Sequence, residues 1–214
     1  MKRVFSFCIV SAMIASAAVP QQAQQPTGWP TLRALLATNE SGEPLSSANF
    51  SVDELKAVRT ATAESTRDYC GGEERGGDAI FRQLLVSRIN IRGDGGQAIL
   101  VEGGGEWDTG SRCLCGVTGN CQMWVLLARG GEANVLLATS GWAHVVLNSS
   151  SHGYFDIVTA EREGAATSEL TMWRFEGKRY QPLRCASKHY AGTGSLDEQQ
   201  RTAKIFEHPC KSIP

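Results

Sequence analysis

The sequence predicts a mainly β, α+β fold of antiparallel strands and hairpins. Two blade-like repeats, an N-terminal helix and a short C-terminal helix complete it. Three observations carry this. Short apolar runs separated by Gly-containing turns recur from about residue 79 to 185. A single long helical pattern precedes them. Six of the seven cysteines follow a leader-like start. The 214 residues are 42% hydrophobic and 20% charged, which suffices for a packed core and excludes a disordered chain. The net charge of −1 gives no electrostatic footprint for nucleic acid.

Residues 1–18 read as a secretory signal peptide. Lys2 and Arg3 precede an apolar run through Ile14, and small residues Ala15-Ser16-Ala17-Ala18 follow. A membrane span needs about 20 continuous apolar residues, more than this run offers. Cys8 leaves with the leader. Residues 19–50, punctuated by Pro20, Pro26, Pro30 and Pro44, read as a linker-like segment with one or two helical turns around Leu32, Leu35 and Leu36. Residues 51–214 form the single disulfide-stapled domain.

That domain opens on Ser51 and Glu54, a capping-box pair. Val52, Leu55, Val58 and Thr62 then share a helical face, and the helix stops before Cys70-Gly71-Gly72. Ile80–Ile91 reads as a strand, because Phe81, Leu85, Ile89 and Ile91 sit at alternate-side positions and Arg92-Gly93-Asp94-Gly95-Gly96 turns into Ala98–Val101. A helix from Asp78 is the competing reading. Trp124–Ala128 and Val135–Ala138 flank a hairpin turn, as do Met172–Phe175 and Tyr180–Leu183; Trp142–Leu147 and Phe155–Ala160 are further strands. Ser195 and Glu198 repeat the capping pattern, predicting a helix over Leu196–Phe206.

Six exported cysteines imply a disulfide framework: Cys70, Cys113, Cys115, Cys121, Cys185 and Cys210. Cys113 and Cys115 serve different bridges in this reading. Cys121 returns to one of them across a short loop, Cys70 takes the other, and Cys185 with Cys210 ties down the tail. A zinc shell of Cys113, Cys115 and Cys121 with His144 or His152 is the rival, although the spacing lacks a C-x2-C pair.

Asp94–Val101 echoes His152–Thr159, and each precedes a loop and a Trp-led hairpin, which is the basis for the two repeats. The string Cys115-Gly116-Val117-Thr118-Gly119-Asn120-Cys121-Gln122-Met123-Trp124, with Gly153-Tyr154-Phe155-Asp156-Ile157 and Trp173–Tyr180, resembles small secreted bacterial β-rich proteins. More distantly, residues 80–185 resemble FG-GAP/VCBS-type propeller blades. The resemblance implies a small secreted β domain and carries no catalytic residues. Arg92 stands where calcium-binding blades place a carboxylate, so no calcium is expected.

No nucleophile elbow, His-Glu-x-x-His or phosphate-cradling loop is present, and no metal or cofactor is expected. His144 reads as a core or edge residue; His189 and His208 read as tail residues. Trp107, Trp142 and Tyr154 are candidates for an aromatic platform or for the core. The expected function is a non-enzymatic binding or inhibitor-like module, periplasmic or secreted, whose partner is an envelope or extracellular protein or glycan. One alternative is a glycan hydrolase using Glu106 and Asp108, since such chemistry needs two carboxylates. The other is a purely structural envelope protein.

Overall fold

Ala98-Ile99-Leu100-Val101 and Met123-Trp124-Val125-Leu126 are apolar at every position because both faces of their sheet are covered. The computed structural model describes residues 28–38, 42–70, 77–104, 113–190, 195, 198–199 and 202–210. Residues 1–18, expected to be a leader, and Cys8 among them lie outside the described residues. The fold is mainly β, with helices on the outer faces of two five-stranded antiparallel sheets. The first sheet runs β1 (Glu43–Pro44), β2 (Leu85–Asn90), β3 (Gln97–Glu102), β4 (Cys121–Arg129) and β5 (Glu132–Gly141). The second runs β6 (Ala143–Ser151), β7 (Tyr154–Gly164), β8 (Thr167–Phe175), β9 (Tyr180–His189) and β10 (Lys204–His208). Each is a meander of sequential neighbours, the topology that short hairpin turns produce.

Three apolar clusters order the layers. Helix α2 (Val52–Cys70) lays Ala57 and Val58 on Ile99, Val101, Trp124 and Leu126 of the first sheet. The opposite face of that sheet, through Leu100, Met123 and Val125, meets Ile157, Trp173 and Phe175 of the second. Helix α1 (Leu32–Thr38) covers the outer face of the second sheet over Val145, Val158 and Leu170. The predicted capping box forms: the Ser51 N–H donates to Glu54 Oε2 at 2.8 Å and the Glu54 N–H donates to Ser51 Oγ at 3.3 Å. Val52, expected on the buried face, is 82% exposed in the first turn.

The echoing segments occupy equivalent positions, each the turn and returning strand of a hairpin, β2–β3 and β6–β7. Their turns meet, with Arg92 bridging to Tyr154 and the Phe155 N–H donating to Ile91 O at 2.8 Å.

Three expectations are corrected. The Ile80–Ile91 strand begins only at Leu85; Gly77–Arg82 is a short helix, α3. Ile80 and Leu84 join the α2 cluster, Arg59 lies over the Phe81 ring at 4.5 Å, and Arg59 pairs with Asp78 at 2.7 Å. Contacts to α2 thus decide what local alternation leaves open. The linker-like segment, from Gly28 onward, is packed: Trp29 and Leu35 are fully buried. The Trp29 indole donates to Glu207 at 3.0 Å, and Lys188 Nζ donates to Pro30 O at 3.2 Å. The tail helix is cut short. Ser195 caps a helical turn through its hydroxyl, 3.3 Å from the Glu198 N–H, but Lys204–His208 pairs with β9 as a strand. There Ile205 packs on the α1 cluster, and the ladder replaces helical hydrogen bonds.

Candidate functional site

The cysteines pair Cys70–Cys113, Cys115–Cys121 and Cys185–Cys210. The three cysteine ligands of the rival zinc shell are therefore consumed, and no metal-holding cluster occurs among the described residues. The middle bridge closes a loop between residues six apart in sequence. Inside it the Gly116 N–H donates to Asn120 O at 2.8 Å and the Gly119 N–H donates to Gly116 O at 2.9 Å. This is a tight turn with Val117 and Thr118 at its apex. Gly119 holds φ at +77°, a left-handed conformation that favours glycine, and a Cβ there would lie 3.2 Å from Arg162.

The base of the loop is fixed from four directions. Leu114 is buried in the α2 cluster. Cys113 binds the end of α2 covalently. The Gly103 N–H donates to Gln122 O at 2.7 Å, holding β3 to the start of β4. Asn120 Nδ2 donates to Arg162 O at 2.9 Å while the Arg162 N–H donates to Asn120 Oδ1 at 2.7 Å. The Arg162 guanidinium rests over Trp142, 4.8 Å from its ring. Against this rigid base, Val117 is 105% exposed, the most exposed large apolar side chain among the described residues.

Of the residues singled out by sequence, Glu106, Trp107 and Asp108 lie outside the described residues. Trp142 is a buried core residue, and Tyr154 stacks on Phe175 with ring centroids 4.0 Å apart. His144 is buried between the sheets, 3.5 Å from Glu102 Oε1, and lines a cavity of about 10 Å³ with Thr139 and Thr159. His152 sits in the β6–β7 turn, 2.8 Å from Ser151 Oγ.

The register of the second sheet assembles a group that the sequence reading did not. Glu169 on β8 faces Ser187 on β9, and β10 brings His208 beside both. Ser187 Oγ donates to Glu169 Oε2 at 2.9 Å, and His208 Nε2 lies 2.8 Å from Glu169 Oε1 and 3.3 Å from Ser187 Oγ. His208 Nδ1 lies 3.0 Å from Pro209 O, so both ring nitrogens have polar neighbours. The β8–β9 hairpin was legible and places Glu169 opposite Ser187. Reading the tail as helix removed His208 from the group.

No helix among the described residues is long and apolar enough to cross a membrane. No family model matches the chain, nor does any curated protein or solved structure.

Proposed function

We propose that the chain is an exported, disulfide-stapled binding module that engages a protein partner with the apex of the 115–121 loop. The observation that carries this is the full exposure of Val117 on a covalently closed, hydrogen-bonded turn. A loop whose backbone is fixed before docking loses little conformational entropy on binding, so the apolar contact of the short Val117 side chain converts efficiently into affinity. A partner that buries Val117 gains about 1.5–3 kcal/mol from that side chain. The leader-like first 18 residues and the three disulfides support an oxidising compartment, periplasmic or extracellular.

The test is capture from envelope extract by the oxidised protein, with Val117→Asp run in parallel. A partner retained by the parent chain and lost with Val117→Asp is the expected result. Once isolated, it should bind the variant at least tenfold more weakly, the scale of about 1.4 kcal/mol. Equal capture by both chains, with unchanged circular dichroism and no free thiols, overturns the loop assignment.

A further inference from the structure

The inner face of the second sheet changes character along its length. Around Ile157, Trp173, Phe175 and Tyr180 it is apolar and covered by the first sheet. Toward the other end its ladder rows become polar. One row runs Glu161, Glu169, Ser187 and Phe206 on β7, β8, β9 and β10; the next pairs Thr167, His189 and Lys204. The Glu169 and His208 side chains there are 14% and 31% exposed, so solvent reaches the group only in part. Phe206 is 54% exposed beside Ser187 in the ladder.

From this arrangement we infer that Ser187 is a nucleophile for acyl transfer, with Glu169 as its general base and His208 as the residue that positions the base. An activated hydroxyl needs a base within hydrogen-bond reach and a third group that orients the base. Both conditions are met, at 2.9 Å and 2.8 Å. The step is an ester or amide cleavage. Ser187 Oγ bonds to the acyl carbon as its proton passes to Glu169 Oε2. The bond to the leaving group breaks, and the leaving group takes that proton. Water then cleaves the acyl ester and restores the hydroxyl. Lys204 lies one ladder row away on the same face, paired with His189. Phe206 offers an apolar surface to the acyl chain. The substrate class is a small carboxylic ester or amide with an apolar acyl group.

This inference goes beyond the loop reading and involves none of its residues. Its test treats the full oxidised protein with a fluorophosphonate and locates the adduct by peptide mass spectrometry. Expected is a single adduct on Ser187, absent in Ser187→Ala and formed at least a hundredfold more slowly in Glu169→Gln, the scale of general-base catalysis. An adduct elsewhere, no adduct above the Ser187→Ala background, or an undiminished rate in folded Glu169→Gln overturns it. Should Glu169→Gln fail to fold, Glu169→Asp decides: its shorter carboxylate must label Ser187 more slowly than the parent, and an undiminished rate overturns the assignment. His208→Gln keeps a donor within reach of Glu169 Oε1 and must label Ser187 faster than His208→Ala, which removes it. Equal rates in the two folded variants remove His208 from the positioning role.

Discussion

Asn120 and Arg162 exchange two hydrogen bonds, 2.9 Å and 2.7 Å long, across a sequence separation of 42 residues. A side-chain amide thereby acts as one rung of a ladder, pinning the disulfide loop to β7. Replacing it with alanine leaves the Arg162 N–H and C=O to water. Because the site is solvent-exposed, Asn120→Ala should cost only about 1 kcal/mol in a urea titration. The larger effect should be local. Amide exchange at Gly116 and Gly119 should quicken while the β4–β5 hairpin keeps its protection. Unchanged exchange at both glycines would show that the Cys115–Cys121 bridge alone sets the loop.

The three bridges close loops of different size, with separations of 43, 6 and 25 residues. In the chain-entropy picture, the stabilisation from each is about 4, 2 and 3.5 kcal/mol respectively. Paired Cys→Ser variants should therefore lower the melting temperature most for Cys70–Cys113 and least for Cys115–Cys121. The last pair carries the functional contrast: a modest loss of stability with a pronounced loss of partner binding. A reversed order would mean that the α2 end of the fold is held mainly by packing.

Glu54 carries both the capping box and the Arg88 ion pair, 2.6 Å away. The Arg88 hydrogen bond, with those from Ser51, holds its carboxyl down at about 2 from an ordinary 4.5, against the opposing effect of burial. A depressed folded-state value contributes stability that is complete above the unfolded value and lost as acid protonates the folded group. The loss should therefore run from about pH 4.5 down toward pH 2. Glu54→Gln should flatten that part of the urea midpoint-versus-pH curve and leave α2 less helical. A parallel curve would place the acid sensitivity elsewhere.

Elements whose local signals agreed were legible. Ser51 and Glu54 cap α2, Arg129-Gly130-Gly131-Glu132 turns β4 into β5, and the six cysteines form three bridges, with Cys121 on Cys115 where chain geometry left Cys113 or Cys115 open. What failed depended on contacts distant in sequence. Gly77–Arg82 is helical because α2 receives Ile80 and Leu84, and Lys204–His208 is a strand because β9 offers an open edge. Trp29 looks like part of a linker until Glu207 and the second sheet enclose it. The candidate site divides the same way. The Cys115–Cys121 string announced a loop, while Ser187, Glu169 and His208 meet only through the register of three strands.

Lys188 gives the last prediction. Its side chain is completely buried, with its ammonium donating to Pro30 O at 3.2 Å and lying 5.6 Å from the centre of the Tyr190 ring. Desolvation pushes it down to about 8 from an ordinary 10.5. With the folded value below the unfolded one, the unfolded chain binds the extra proton between them, so stability must rise with pH across that interval. The rise should be about 1–2 kcal/mol between about pH 8 and pH 10. Lys188→Met keeps similar length without a charge to bury. It should be at least as stable as the parent at pH 7, since removing a buried charge offsets the lost hydrogen bond to Pro30. Above all, it should lose the alkaline rise. Urea midpoints for both chains at pH 7, 8, 9 and 10 check this by difference, which cancels the other groups that titrate there. Identical slopes would show that water reaches Lys188 and that the N-terminal segment does not seal it.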